Sequence, residues 1–500
     1  MAADLTCPDC GAVYAAGPDE PWRCRCGHAL EFTERPRPQG DPLPLHSLDT
    51  TDGLWTFFEF LPIEQHVTFY EGFTPLVDAP DWDAQFKLEY VFPTGSFKDR
   101  GATTTLSRAV ELGVERVIED SSGNAGASIA TYAARAGIPA DIYVPADVNQ
   151  SKLMAIQRAN ARPVRIDGSR EDVTAACLEA VEGDGATADD APRQTGDGWY
   201  ASHAWNPAFY AGTMTFAFEV AAQRGWTAPD AIVLPIGHGT LFLGAYRGFS
   251  LLNEAGIVDR MPRLLGAQAA GYAPIVAALG GETTDEDGER ATISDGVQVT
   301  EPARGTDLLE AIDATGGDAI ALGDDPIESA LDRLHRGGFY VEPTCAVAPA
   351  ALEQYRERGV LAADDDVVVH QVVASGIEGL VEYEGGLLNA VQNDTLGLTV
   401  TQNDSATAPN TSPKSLMLGS DNTTVVADGE NNTYFVAIET ENVNTDSARA
   451  VDPSSYEEEY TADFSVSSGS VLVSGDDDEV VSNHFEVVEP SADLDTNEND

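Results

Sequence analysis

Lysine is nearly missing from this chain. Five hundred residues contain four lysines, at 87, 98, 152 and 414, and all basic residues number 28 against 83 acidic ones. The resulting net charge of −55 argues against a nucleic-acid partner, because phosphate is repelled over most of such a surface. The same excess suits a protein kept soluble in molar salt, where charge is screened beyond about 3 Å, and points to a halophilic source. Long apolar runs are also missing. No stretch approaches the ~20 residues of a membrane span, and the start Met1-Ala2-Ala3-Asp4 lacks the basic and apolar regions of a signal peptide. The expectation is a cytoplasmic protein with no membrane partner. Cysteine is scarce as well, six residues in all, which argues against a disulfide scaffold.

Four of those cysteines are nevertheless close together: Cys7-Pro8-Asp9-Cys10-Gly11 and Cys24-Arg25-Cys26-Gly27. Paired cysteines on tight turns, each pair followed by glycine, are how a zinc ribbon builds two knuckles, and four thiolates then surround one tetrahedral ion. The second pair is spaced CxC rather than CxxC. Free or redox-active thiols are the alternative; His28 could substitute as a ligand but reads rather as a surface histidine. A ribbon over residues 1–34 is too small to hold a core, so metal would supply its folding energy.

With so few lysines, Lys98 stands out. It lies in Phe92-Pro93-Thr94-Gly95-Ser96-Phe97-Lys98-Asp99-Arg100-Gly101, a turn running into a helical pattern. A desolvated amine has a lowered pKa and can form an imine with an aldehyde cofactor. Arg100 is either a cation tuning that amine or a ligand for phosphate or carboxylate.

From there strands and helices alternate. A helix is expected from Ala102 to Leu112 and a strand at 116–120. The small-residue loop Ser121-Ser122-Gly123-Asn124-Ala125-Gly126-Ala127-Ser128 then opens a helix to Ala136, followed by strands at 140–145 and 163–166 with a helix over 151–160 between them. Further strands are expected at 231–235, 263–268 and 366–370, an Ala-rich helix following Gly338–Thr344 and running through Leu352, a surface insertion at 183–198 and an acidic loop at 281–290. The aromatic run 54–62 reads as core packing. Short connections between strands and helices mean α/β architecture, with parallel sheets covered on both faces. Ligands bind beyond the carboxyl ends of such strands. Gly237-His238-Gly239-Thr240 opens a helix after the 231–235 strand. Its glycines allow backbone N–H groups to approach an anion at the helix start. Together the three loops describe a site for a phosphorylated aldehyde: Lys98 as the amine, residues 237–240 for the phosphate, Asn124 for the ring hydroxyl.

These motifs resemble pyridoxal-phosphate enzymes of the tryptophan synthase β-like fold (fold type II), and among them the threonine synthase family. The resemblance covers residues 1 to about 375. It rests on Pro93–Gly101, Ser121–Gly126, Asn206-Pro207 with Gly212-Thr213, Gly237–Thr240 and Val341-Glu342-Pro343-Thr344. It implies two doubly wound parallel-sheet domains within a body at 35–385, pyridoxal 5'-phosphate as cofactor, structural zinc, and a homodimer. The implied reaction turns O-phospho-L-homoserine and water into L-threonine and phosphate. Lys98 is the implied proton shuttle, Ser375 the partner of the pyridine nitrogen, and Ser96, Arg100, Ser121 and Ser122 the substrate ligands. The family's usual Thr-Gly-Ser-Gly reads Val373-Ala374-Ser375-Gly376 here, and Ala211–Thr215 replaces the usual Glu-Gly-Gln-Lys-Thr. A threonine or serine dehydratase, or an inactive body fused to a binding module, are the competing readings.

After about residue 386 the composition changes. Residues 391–500 carry 23 acidic and 2 basic residues. Segments such as 433–438 and 464–467 read as strands of an acidic β-rich extension at 386–488, followed by a disordered tail at 489–500.

Overall fold

The computed structural model describes residues 2–371, except 39, 41, 147, 149, 184–190, 282 and 284–291, together with seven strands between 396 and 487. The chain divides into two compact units, 1–374 and 375–500.

The first unit holds two parallel sheets. The smaller runs in the order Arg162–Ile166, Ala140–Pro145, Val117–Glu119, Trp199–Tyr200, every pair parallel. The larger runs Asp318–Leu322, Arg263–Ala269, Ala231–Pro235, Val367–Gln371, Ala84–Leu88, Leu76–Ala79. Only its last pair is antiparallel. Strands covered on both faces read as unbroken apolar runs rather than alternating ones, and Val367, Val368 and Val369 are buried accordingly. A smaller antiparallel sheet joins Val13–Tyr14, Leu5–Thr6 and Glu31–Phe32 in the cysteine-bearing segment.

The lysine-bearing helix spans Lys98–Leu112 and is closed by Gly113 at φ 71°, a left-handed C-terminal position that suits glycine. It starts four residues earlier than expected, so Lys98 itself lies in the first turn. It crosses the helix Pro207–Gln223 at close range. A Cβ on Gly101 would lie 2.2 Å from Phe209 Cδ1, and one on Gly212 only 1.8 Å from the Arg100 carbonyl oxygen. The two backbones therefore approach more closely than any larger residue allows.

Some expectations change. Residues 193 and 195–197 of the expected surface insertion are exposed, but one side chain anchors the stretch. Gln194 is buried, and its Nε2 donates to the Glu20 carbonyl at 2.7 Å. Most of the acidic stretch 281–290 lies outside the described residues. The aromatic run winds as 3-10 turns over Thr50–Phe60, with Trp55 and Phe57 buried but Phe58 exposed. The helix Arg170–Glu182, the helix Pro207–Gln223 and the strand Asp318–Leu322 had no expected counterpart.

In the second unit, Lys414–Leu418, Leu396–Gln402, Tyr460–Val466 and Leu472–Ser474 form one antiparallel sheet in that order. Thr423–Ala427, Tyr434–Ile438 and Phe485–Val487 form a mixed sheet, its first pair antiparallel and its second parallel. The tail 489–500 lies outside the described residues.

Candidate active site

Lys98 is half-buried at the start of its helix, with Nζ 4.2 Å from the Phe97 ring centroid. Burial pushes its amine down to about 8, against the opposing pull of Glu119 and Glu342. Asp99 beside it ties the turn together. Its carboxylate accepts from Thr94 N at 2.9 Å, from the Thr94 hydroxyl, and from Ser128 Oγ at 2.6 Å. Ser128 lies on the helix Asn124–Ala136, so Asp99 links the lysine turn to the Ser/Gly/Asn loop. Ser96 Oγ is buried and accepts the Lys98 backbone N–H at 3.3 Å. Ser121 Oγ accepts from Gly123 N at 3.3 Å. Ser122 and Asn124 are half-buried at the N-terminus of the Asn124–Ala136 helix.

Arg100 is corrected. It was expected to face an anionic substrate, but its guanidinium is fully buried among protein carboxylates. Nε and Nη2 donate to Glu89 at 2.5 and 2.7 Å, while Nη1 and Nη2 donate to Glu219 at 2.6 and 2.8 Å. Lys87 Nζ joins the same knot through Glu219 at 2.7 Å. Residues two apart on a helix point to different sides, so Lys98 and Arg100 serve different environments. Ser375 lies outside the described residues.

Two histidines meet at the mouth of the smaller sheet. His203 Nδ1 is 2.6 Å from Glu119 Oε1, and the His203 and His238 rings stand edge-on with centroids 5.2 Å apart. Burial raises the Glu119 carboxyl well above its usual range and lowers His203 well below its own. Burial also pushes His238 down to about 3, with the Arg170 and Lys98 charges adding to it. The Nδ1 of His238 is buried with no partner among the described residues. Around it, Gly239 takes φ 74° as the residue before the helix Thr240–Glu254. A Cβ on Gly239 would lie 2.4 Å from Leu308 Cδ2. Glu119 was missed in the sequence, although an acid ending an apolar strand just before a Ser/Gly/Asn loop was a usable signal.

Residues 67–371 match the family described as pyridoxal-phosphate dependent enzyme. The chain belongs to that family. It is similar to a threonine synthase of Methanocaldococcus jannaschii, 31% identical over 378 residues, covering 72% of this chain and 90% of that protein. It is also similar to a threonine synthase of Mycobacterium tuberculosis, 34% identical over 310 residues, covering 60% of this chain and 81% of that protein. Among solved structures, maize serine racemase superposes with a TM-score of 0.51 at 22% identity, covering 62% of this chain and 91% of that one; this likeness shows the shared fold.

The residues present fit the family's cofactor. A half-buried amine of lowered pKa suits its aldehyde. The helix start with an orphaned imidazole nitrogen suits its phosphate.

The four cysteines form a second centre. Their sulfurs all lie within 4.8 Å of one another, with Cys7–Cys26 at 3.5 Å and Cys10–Cys24 at 3.4 Å. A tetrahedral zinc with Zn–S bonds of about 2.3 Å spaces sulfurs by about 3.8 Å. The donor set fits that ion. His28 Nδ1 contacts Cys26 Sγ at 3.5 Å and Asp9 at 3.6 Å, outside the four-sulfur set.

Proposed function

We propose that this chain is a threonine synthase, converting O-phospho-L-homoserine and water to L-threonine and phosphate. The observation that carries the reading is the likeness to two threonine synthases along nearly their whole length, 90% and 89% of them. Bound pyridoxal phosphate supplies the electron sink for carbanions at the substrate's α and β carbons. The protein's part is to bind, orient and move protons. Lys98 is the covalent anchor and, once freed, the base and acid at those carbons; a pKa near 8 suits both duties near neutral pH. Gly237, His238, Gly239 and Thr240 cradle the cofactor phosphate. Asn124 would hold the ring hydroxyl, and Ser375 would hold the ring nitrogen. Ser122 and Asn124 offer hydrogen bonds to substrate oxygens, with Ser96 and Ser121 shaping the turns beside them. Arg100 is left out of this set. Cys7, Cys10, Cys24 and Cys26 hold a structural zinc.

No helix among the described residues is long and apolar enough to cross a membrane. The reading places the enzyme in a halophilic cytoplasm as a homodimer acting on a small amino acid.

The test is release of phosphate and threonine from O-phospho-L-homoserine by the full chain in concentrated KCl. Equal release of both products supports the reading. A protein that carries the cofactor's visible absorbance but releases neither product has a different amino-acid substrate.

A further inference from the structure

The cysteine segment touches the body at the two loops that flank the site. Glu31, on the strand Glu31–Phe32, accepts from two arginines of the body: Arg304 Nη1 at 2.5 Å and Arg247 Nη2 at 2.6 Å. Arg304 is only 3% exposed. Its other nitrogen, Nη2, donates to the Leu30 carbonyl at 3.1 Å and to the Trp205 carbonyl at 2.9 Å. One guanidinium therefore bridges the segment and the loop that carries His203. Both guanidiniums also lie over the ring of Tyr210, at 4.4 Å for Arg304 and 4.7 Å for Arg247. The Tyr210 hydroxyl donates to the Ala204 carbonyl at 2.9 Å. Two consecutive carbonyls of one loop, directly after His203, are thus tied to a pair of arginines that Glu31 of the cysteine segment and, at 3.4 and 3.5 Å, Asp307 of the body hold in place.

A second set of contacts is independent of the first. Trp22 packs edge-on against Tyr200 and Trp205, with centroids 5.7 and 5.1 Å away. Its Nε1 donates to Glu182 at 3.0 Å. The Tyr200 hydroxyl donates to Asp120 Oδ1 at 2.7 Å, and Asp120 directly precedes Ser121. Gln194 joins the Glu20 carbonyl to the Tyr200 N–H. The inner side of the loop is held by the smaller sheet, through Ala201 N to the Ile118 carbonyl at 2.8 Å and His203 to Glu119. The outer side is held by residues 20–31.

We propose that the cysteine segment is a positioning element for the site: Glu31, acting through Arg304 and Arg247, and Trp22, acting through Tyr200, hold the 199–206 loop and the 120–124 turn in place. The reading rests on the proposed function only in that these loops flank the lysine. Glu31 and Trp22 are positioning residues and touch no reacting atom. The energetic reason is direct. Removing the Glu31 charge leaves two guanidiniums, one of them buried, with only the longer contacts to Asp307 at 3.4 and 3.5 Å, and the loss of a close partner to a buried charge is among the costlier single changes. Local opening of the loop should follow before the sheets give way.

The experiment uses the full-length holoenzyme with Glu31→Gln and, separately, Trp22→Leu. Amide hydrogen exchange is followed in peptides covering 199–206 and 120–124, with the central strand 231–235 as reference, alongside steady-state phosphate release. The expected result is roughly tenfold faster exchange in both site peptides, unchanged exchange in 231–235, retained cofactor absorbance, and a kcat/KM lowered about tenfold. Exchange in 199–206 equal to the parent, or faster equally in all three peptides, overturns the proposal. If Glu31→Gln does not fold, Trp22→Leu decides on the same criteria. If the parent releases no phosphate while the loops still respond selectively, the reaction assignment fails and the positioning role stands.

Discussion

Arg100 and Glu219, 119 residues apart in sequence, meet in a two-pronged pair at 2.6 and 2.8 Å with no solvent around either side chain. Glu89 closes on the same guanidinium from the other side. This knot fastens the beginning of the lysine-bearing helix to the larger sheet and to the helix Pro207–Gln223. It explains why the arginine next to Lys98 cannot also greet a substrate.

Arg100→Gln should therefore act on stability, not selectively on substrate affinity. Removing one partner of a buried ion pair costs about 3–5 kcal/mol. Urea unfolding of the variant checks this. A folded variant of parental stability with only a raised KM for O-phospho-L-homoserine would return Arg100 to the substrate.

Lys98→Ala should abolish the visible absorbance of bound cofactor and all turnover. In the parent, only the neutral amine attacks an aldehyde. Because burial lowers Lys98 to about 8, cofactor uptake by the stripped enzyme should speed up as pH rises toward 8 and level off above it. Stopped-flow absorbance at several pH values follows this. A rate still climbing steeply near pH 10 would mean that the amine is not desolvated.

What the sequence made legible was local. Lys98, Asn124, Gly237–Thr240 and the four cysteines each sit in a short motif whose chemistry is carried by adjacent residues. What it hid was long-range. Nothing near Arg100 announces Glu219, and nothing near Glu31 announces Arg304, 273 residues away. The helix Pro207–Gln223 escaped notice for another reason: it is buried along almost its whole length, so it lacks the apolar stripe by which helices are found.

Cys7→Ser should strip the chain of zinc and lower its resistance to heat while leaving cofactor absorbance intact, because the four sulfurs belong to a centre separate from Lys98. Metal analysis beside a thermal melt tests the split. Zinc retained with absorbance lost would contradict it.

His238 should make the fold sensitive to acid. Burial holds it down to about 3, so the unfolded chain takes up a proton that the folded one refuses, and this histidine's contribution to stability is lost as pH drops from 6.5 toward 3. The slope is up to about 1.4 kcal/mol per pH unit. The buried carboxyls of Glu20, Asp99 and Glu119 are shifted up and act in the opposite direction over the same range, so the histidine is isolated by substitution. The urea midpoint should fall less between about pH 7.5 and about pH 5 in His238→Gln than in the parent. The same change in both would mean that the imidazole is already charged in the fold.

Gly212→Ala should be worse than a typical added methyl, which costs about 1–3 kcal/mol in a packed core. Its Cβ would meet the Arg100 carbonyl oxygen at 1.8 Å, and backbone yields less readily than a side chain. A thermal melt of the variant checks this, and an unchanged midpoint would refute the tight helix crossing.

The strand Val367–Gln371 pairs with Ala231–Pro235 on one side and Ala84–Leu88 on the other. On the ribosome, residues 84–88 emerge early and then wait, since their parallel neighbour is made only after some 280 further residues have left the exit tunnel. Until then the Leu76–Leu88 hairpin has an unclosed edge, the kind of exposed strand that invites wrong partners. Completing the larger sheet thus waits until residue 371 has been made, and nascent chains stalled before residue 367 should be the species that most need chaperone protection.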